Sequence, residues 1–124
     1  MNKKFDKDLK YGQERENRIV SILDKEKTKI EVKTERDWWQ KSGNIAIEVE
    51  CYGKPSGIMA TEADYWVHIL ADGDKDFVRM IFDTSTVKKL AKKYMKNIKS
   101  GGDGNQSRFI LIPLSELFLR KNIN

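Results

Sequence analysis

Cysteine and histidine are nearly absent from this chain, which contains one of each, Cys51 and His68. A single cysteine cannot form an internal disulfide, and one cysteine with one histidine does not provide the ligands of a structural zinc site. We therefore expect a protein of a reducing compartment, the cytoplasm, without a disulfide framework.

Long apolar segments are missing as well. No stretch approaches the roughly 18 consecutive apolar residues of a membrane span. The first ten residues, MNKKFDKDLK, lack the apolar core of a secretory signal. The sequence therefore predicts neither a membrane partner nor classical export.

The composition that is present is typical of one folded domain. The chain has 124 residues, of which 39% are hydrophobic and 10% aromatic. We expect a single domain over residues 1–124, with residues 1–10 as a flexible N-terminal segment. The 24 Lys and Arg outnumber the 19 Asp and Glu, and this net charge of +5 favours a polyanionic partner.

Hydrophobic periodicity predicts the order of helices and strands. The predicted strands are residues 28–35, 44–50, 65–70, 77–83 and 108–114. The predicted helices are residues 11–23, a helix from Thr84 or Ser85 through residue 99, and a short one from Ser115 to Leu119. This order describes a small α/β or α+β domain with a central mixed, mostly antiparallel sheet flanked by helices, and with a hairpin around residues 71–76.

A lysine and three glutamates are predicted to share one face of the sheet. In KIEVKTE, residues 29–35, apolar and charged residues alternate, so Ile30 and Val32 form an apolar face opposite an ionic one. If the strand at 44–50 is the neighbour and the apolar faces pack together, the other surface carries Glu31, Lys33, Glu48 and Glu50.

Two interpretations of this ionic cluster follow from the pattern. Carboxylate oxygens are preferred Mg²⁺ ligands, a bound metal can activate a water for attack on a phosphate, and a lysine nearby can orient that water. Alternatively, Lys33 pairs with Glu48 as an ordinary cross-strand ion pair worth about 0.2–1 kcal/mol.

The run IEVK at residues 30–33, preceded by a helix that carries Glu16, resembles the PD-(D/E)XK nuclease superfamily, particularly small archaeal Holliday-junction resolvases and short phage endonucleases. The stretches SGNIAIEVE, GKPSG and TEADYW extend the resemblance over roughly residues 11–70. It implies a restriction-endonuclease-like core and hydrolysis of phosphodiester bonds in DNA, including branched DNA, with Mg²⁺ or Mn²⁺. It also implies a homodimer, because cutting two strands needs two active sites, and the host cytoplasm if the chain is phage-encoded.

The resemblance also implies roles for individual residues. Glu31 and Lys33 match the E-x-K pair of the family, and Glu16 matches the acid of its first helix. The family has a further aspartate on a strand before E-x-K, and Asp24 is the aspartate available between the first helix and the first strand. That segment is too short for a full strand.

An alternative alignment avoids this departure from the family. Glu31 then takes the place of the aspartate, and Glu48 with Glu50 forms an E-x-E variant on the following strand. Across both alignments the candidate catalytic residues are Glu31, Lys33, Glu48 and Glu16. The candidate metal ligands are Glu31, Glu48, Glu50 and Asp24.

Basic and aromatic residues supply candidate nucleic-acid contacts. The lysines expected to hold the phosphate backbone lie on the helix after residue 84, and are Lys88, Lys89, Lys92, Lys93 and Lys96. Trp38 and Trp39 can stack on bases. Core anchoring is the commoner use of tryptophan, but two adjacent tryptophans rarely both point inward, so we expect a partner contact for one of them. His68, on an apolar stretch, is expected to be a core or hairpin residue and not a general base.

Two other function classes compete with the nuclease interpretation. A non-catalytic nucleic-acid-binding module would use the lysines to bind phosphates and leave the acidic residues structural. A protein-binding regulator or inhibitor would use the same ionic sheet. Metal-dependent nicking of DNA separates the nuclease from both.

Overall fold

The computed structural model describes residues 3–24 and 26–123, which form a small α+β domain of the predicted class. Within this part of the chain the helices are α1 (Lys3–Ile22), α2 (Trp39–Ser42), α3 (Thr84–Lys93) and α4 (Leu114–Leu117). The strands are β1 (Ile30–Arg36), β2 (Asn44–Cys51), β3 (Lys54–Pro55), β4 (Tyr65–Asp72), β5 (Lys75–Asp83), β6 (Ile98–Gly101) and β7 (Ser107–Pro113). Short 3₁₀ turns lie at Gly57–Met59, Met95–Asn97, Asp103–Asn105 and Arg120–Asn122.

The strands form two sheets in which most pairings are antiparallel. The first sheet has the order β1, β4, β5, with β1 parallel to β4 and β4 antiparallel to β5, which confirms the predicted hairpin. The second sheet has the order β3, β2, β7, β6 and is antiparallel throughout. The expectation that the first two long strands pair with each other is wrong, because β1 pairs with β4 and β2 with β7.

The hydrophobic core lies between the second sheet and α3. Ile45, Ile47 and Val49 of β2 are buried, as their alternation predicts. The side chains of α3 and the following residue that pack against the sheets are Val87, Leu90, Ala91 and Tyr94. Each fully buried aliphatic side chain contributes about 1.5–3 kcal/mol, so these positions dominate the stability of the domain.

Strand β1 has the opposite orientation to the one predicted. Ile30 and Val32 are 37% and 53% exposed. The charged residues that alternate with them along β1 are half-buried, and are Glu31, Lys33 and Glu35. The apolar face of β1 therefore faces solvent and the ionic face lies toward the interior. The period of two is as predicted, but alternation does not by itself identify the inner face.

Helix α1 is longer than predicted and sparsely packed. It begins at Lys3, so residues 3–10 of the predicted flexible segment are helical, while residues 1 and 2 lie outside the described residues. Ile22 is the one residue of α1 that is buried. No helix in the described part of the chain is long and apolar enough to cross a membrane.

Helix α3 is shorter than predicted. It ends at Lys93, and residues 98–101 form β6, which pairs with β7. Two hydrogen bonds of Asn97 fix this change of direction. Its side-chain N–H donates to the Leu111 carbonyl oxygen at 3.1 Å, and its backbone N–H donates to the Tyr94 carbonyl oxygen at 2.8 Å. Pairing with an existing strand therefore prevails over the helical periodicity that continues to residue 99.

Candidate active site

A cleft lies between β1, at the edge of the first sheet, and β2 of the second sheet. It holds a cavity of about 220 Å³, whose lining residues are Lys33, Thr34, Glu35, Ala46, Glu48, Trp66, His68 and Phe109. The charged members are one lysine and two glutamates. Lys33 and Glu48, which were predicted to share one sheet surface, line this cleft from two different sheets, together with Glu35.

The register between β1 and β4 directs the charged side chains of β1 into this cleft. Lys33 lies opposite His68 and Glu35 lies opposite Leu70, and both β4 residues are buried. Residues opposite each other on neighbouring strands point to the same face of a sheet. The ionic face of β1 is therefore its inward face.

Glu35 connects the two sheets. The backbone N–H of Ala46 in β2 donates to Glu35 Oε1 at 2.6 Å. One edge of β2 pairs with β7, whereas on the other edge β3 reaches only Glu50 and Cys51. The carboxylate of Glu35 therefore occupies a place on β2 that a neighbouring strand would otherwise fill.

A buried histidine holds the same carboxylate oxygen. Trp66 Nε1–H donates to His68 Nδ1 at 3.1 Å, and His68 Nε2 lies 3.0 Å from Glu35 Oε1. Since Nδ1 accepts a hydrogen bond, it carries no proton, so the proton of the neutral imidazole is on Nε2 and is donated to Glu35. Glu35 Oε1 thus accepts from two donors, whereas Oε2 accepts no hydrogen bond within the described part of the chain.

Glu48 is held in place through its backbone. Gly57 has a φ of +52°, and a Cβ at this position would overlap the carbonyl oxygen of Glu48. Only glycine therefore allows the 3₁₀ turn at Gly57–Met59 to pack this closely on β2. The side chain of Glu48 is half-buried in the cleft.

Lys33 and Glu48 do not form the ordinary surface ion pair that was the alternative interpretation. Among the described residues, no salt bridge involves either side chain. The cluster is therefore not explained as a pair of exposed partners that neutralise each other. An ammonium group and a carboxylate that share a cleft without pairing are both available to a ligand.

Neither Glu31 nor Glu50 lines the cleft. Glu31 is half-buried on the same face of β1 as Lys33. It precedes Lys33 by two residues, which is a distance of roughly 6.5 Å along the strand. Glu50 was expected on the face of Glu48, but the register shifts between them, so Glu48 lies opposite Phe109 and Glu50 opposite Arg108. This β-bulge places Glu48 and Glu50 on opposite faces of the second sheet.

Asp24 and Glu16 lie elsewhere. Asp24 Oδ1 accepts the backbone N–H of Glu26 at 3.1 Å and Oδ2 lies 3.9 Å from Lys27 Nζ, so this aspartate stabilises the turn after α1. Glu16 is exposed on α1, beside a surface groove formed by that helix alone. Neither residue lines the cleft.

The donor set of the cleft determines which metal it can hold. In the described residues, no three His, Cys, Asp or Glu side chains are grouped closely enough to form a complete metal site. The cleft itself offers the carboxylates of Glu35 and Glu48. Mg²⁺ commonly binds through one or two carboxylates and completes its shell with water and substrate phosphate, so this donor set fits Mg²⁺ or Mn²⁺ in the presence of a phosphate ligand.

The two tryptophans have different environments. Trp39 Nε1–H donates to the Ala71 carbonyl oxygen at 2.8 Å, and its ring stacks on Phe77 with centroids 5.7 Å apart. Trp38 is 68% exposed. Trp39 is therefore held within the fold, and contact with a partner stays a prediction for Trp38.

The predicted basic face is present on α3 and the turn that follows. Lys89, Lys92 and Lys96 are exposed, and Lys88 is half-buried. Lys93 Nζ donates to the Lys121 carbonyl oxygen at 2.5 Å. This face lies opposite the residues of α3 that enter the core.

Sequence reasoning missed Glu35 and Trp66 as parts of the site. A signal for Glu35 was present, because Glu31, Lys33 and Glu35 alternate along one strand and must share a face. No signal in the sequence indicated that Trp66 and His68 would orient this carboxylate. His68 was expected to be a core or hairpin residue, and the structure buries it.

Comparison with known proteins adds no relative to this picture. No protein-family model, curated protein or solved structure matches the chain. The chemistry of the cleft therefore has to be argued from its own residues.

Proposed function

We propose that this protein is a divalent-metal-dependent endonuclease that hydrolyses phosphodiester bonds in DNA. The observation that carries the proposal is the convergence of Lys33, Glu35 and Glu48 on one cleft, with Glu35 oriented by the buried His68. The resemblance of IEVK and its surroundings to PD-(D/E)XK nucleases supports the same class of reaction. The cleft would be the counterpart of the active site of that family.

The two carboxylates have different roles in this proposal. Glu35 Oε1 is occupied by the Ala46 and His68 donors, so Oε2 is the atom available to a metal. Glu48 would provide the second carboxylate, and Glu31, next along β1, would complete or support the site. A bound Mg²⁺ or Mn²⁺ would polarise the scissile phosphate and lower the pKa of the attacking water.

Lys33 is the group we assign to the water and the phosphate. Its ammonium group shares the cleft with both carboxylates without a salt bridge, so it is free to orient the water or to offset the negative charge that develops on the phosphate. In the hydrolysis, the water oxygen attacks phosphorus and one P–O ester bond breaks. The leaving oxygen takes up a proton, and the products are a phosphate monoester and a hydroxyl group.

The charge of the chain supports DNA as the substrate. The net charge is +5, and the exposed lysines of α3 and the exposed Trp38 offer contacts to phosphates and bases. We extend the proposal to structured or branched DNA, to a cytoplasmic location and to a homodimer, in line with the family that the sequence resembles.

A nicking assay tests the proposal. Supercoiled plasmid and a synthetic four-way junction are incubated with the purified protein in Mg²⁺, Mn²⁺ or chelator. We expect cleavage only with metal, and its loss by at least about 100-fold in Glu35→Gln, Glu48→Gln and Lys33→Ala, since each removes a metal ligand or a charge at the reacting phosphate.

Glu50→Gln is the matched control, because it makes the same chemical change on the same strand but on the other side of the β-bulge. It should retain cleavage close to that of the unmodified protein. Metal-independent binding of DNA without any cleavage would instead identify a non-catalytic binding module. Equal losses in Glu48→Gln and Glu50→Gln would contradict the assignment of the cleft.

A further inference from the structure

Helix α1 exposes apolar side chains that its own chain does not cover. Phe5, Leu9, Ile19, Val20 and Leu23, the last directly after the helix, are between 47% and 69% exposed. Most of the stability of a helix in a protein comes from burial of an apolar face, and less from the helix propensity of its residues. The described part of the chain provides that burial at a single residue of α1, Ile22.

Four of these five exposed residues, all except Val20, follow a heptad seam. Residues 5, 9, 12, 16, 19 and 23 are separated by alternating steps of four and three, which is the spacing of the a and d positions in a coiled coil. They are Phe5, Leu9, Gly12, Glu16, Ile19 and Leu23, and we call them the α1 seam. At about 100° per residue, Ile22 lies roughly 100° away from Leu23 around the helix. Ile22 is also about 60° from Ile19, so the contact of α1 with its own domain lies beside the seam and leaves Phe5, Leu9 and Leu23 exposed.

The seam is self-complementary in the antiparallel direction. About a two-fold axis near residue 14, Phe5 would face Leu23 of a second copy and Leu9 would face Ile19. In the same arrangement Gly12 would face Glu16, so the residue without a side chain would lie opposite the one polar side chain. A surface whose two halves match each other in this way meets the requirement of an isologous two-fold interface.

The parallel direction is disfavoured by the same residues. Each seam residue would then face the same residue of the second copy, so two Glu16 carboxylates would meet inside an apolar interface. Repulsion between these like charges disfavours the parallel arrangement. A polar residue at one seam position commonly sets the register of a coiled coil. Gly12 opposite Gly12 would leave a gap in the next layer.

We propose that α1 pairs with α1 of a second copy of this chain as a short antiparallel coiled coil centred near residue 14. Four large apolar side chains of the seam from each copy would bury roughly 500–1,000 Å² in total, below the usual range of specific interfaces, so we expect a weak dimer that forms at micromolar or higher concentrations. This inference rests on the homodimer of the proposed function and names its contact surface. It does not depend on the nuclease activity, because the surface lies outside the cleft.

Sedimentation velocity of the full chain across micromolar concentrations tests the dimer. We expect the unmodified protein to dimerise, and Leu9→Glu to raise the dimer dissociation constant at least tenfold because it places a carboxylate in the seam. Tyr11→Glu is the matched control, since Tyr11 is equally exposed on α1 but lies off the seam. Leu9 is exposed in the monomer, so the variant should keep the native fold by circular dichroism.

The outcomes separate clearly. A monomer at all concentrations, or a dimer that Leu9→Glu leaves unchanged, would overturn the proposal. If Leu9→Glu and Tyr11→Glu raise the dimer dissociation constant equally, the seam is not the contact surface. DNA cleavage is not read in this experiment, so its result does not depend on the proposed nuclease activity.

Disulfide trapping tests the direction of pairing. In a Cys51→Ser background, one preparation carries Gly12→Cys and another carries Glu16→Cys, and the two are mixed and oxidised. Random pairing of an equimolar mixture already makes the mixed disulfide twice as abundant as either homodisulfide, so antiparallel pairing predicts a mixed disulfide that clearly exceeds the two homodisulfides together. A preference for the 12–12 and 16–16 homodisulfides would indicate parallel pairing and contradict the proposal.

Discussion

At the scale of single residues, Glu35 depends on its hydrogen-bond partners. An unpaired carboxylate in a half-buried cleft would sample several rotamers, whereas Oε1 of Glu35 is held by the Ala46 N–H and by His68 Nε2–H. The tautomer of His68 is in turn set by Trp66. Partners of this kind orient metal ligands in many enzymes, and their loss typically costs about 10–100-fold in metal affinity or activity.

We therefore expect His68→Phe to lower the nicking activity, although residue 68 does not contact the substrate in this proposal. The substitution keeps a planar ring but removes the donor to Glu35, and it leaves the buried N–H of Trp66 without an acceptor, which costs about 1–3 kcal/mol of stability. Nicking should fall about 10–100-fold while DNA affinity stays within a factor of two to three.

His68→Gln is the informative comparison, because its terminal amide N–H can replace Nε2–H as a donor to Glu35. It should recover part of the activity that His68→Phe loses. Equal activity in His68→Phe and the unmodified protein, in a variant shown to be folded, would contradict the role of His68 in positioning Glu35.

At the scale of elements, β1 shows that the ionic face of a strand can be its inner face. Its apolar residues Ile30 and Val32 contribute little to the core, because the cleft and not the core lies on the opposite side. In β2 the usual arrangement holds, and Ile47 is 1% exposed. Two strands with the same alternating pattern therefore make unequal contributions to stability.

Truncation of these two strands should reveal the difference. Val32→Ala is expected to lower the free energy of unfolding by about 0.5 kcal/mol or less, as at an exposed site. Ile47→Ala should lower it by about 2–5 kcal/mol, because it leaves a cavity in the core. Urea denaturation followed by tryptophan fluorescence measures both, and a loss above about 2 kcal/mol for Val32→Ala would show that the outer face of β1 is covered in solution.

At the scale of the whole molecule, the distribution of charge matters more than its sum. The net charge is +5, yet the cleft contains two carboxylates, so a polyanion has to be held mainly by lysines outside the cleft. The exposed lysines of α3 and the turn after it form one such surface. A metal in the cleft would then offset the repulsion between the carboxylates and the phosphate.

Neutralising Lys89, Lys92 and Lys96 together to Gln should weaken DNA binding for all sequences alike. The slope of log K against log salt should become shallower by about 0.9 for each phosphate contact that is lost from duplex DNA. Fluorescence anisotropy with labelled DNA at several salt concentrations measures this slope.

The control variant neutralises Lys3, Lys7 and Lys10 of α1, which changes the net charge by the same amount. It should leave the salt slope nearly unchanged. The same reduction in both triple variants would assign the effect to net charge alone and not to the surface of α3.

Local patterns were sufficient to predict much of the fold. The alternation of β2, the β4 and β5 hairpin and the amphipathic start of α3 all depend on residues close together in the chain, and the structure confirms them. For the site, Lys33 and Glu48 were predicted to share one surface of a single sheet, whereas the structure has them lining one cleft from two different sheets. The pairing of β1 could not be predicted, because its partner β4 lies more than thirty residues further along.

The sequence by itself determined which residues alternate, which helices are amphipathic and that one strand carries a row of charges, because these properties follow from the geometry of single elements. Tertiary structure alone decided which face of β1 is buried, since that depends on the strand beside it. It also decided that a bulge separates Glu48 from Glu50 and that His68 is placed against Glu35. These are relations between residues distant in the chain, and only packing brings them together.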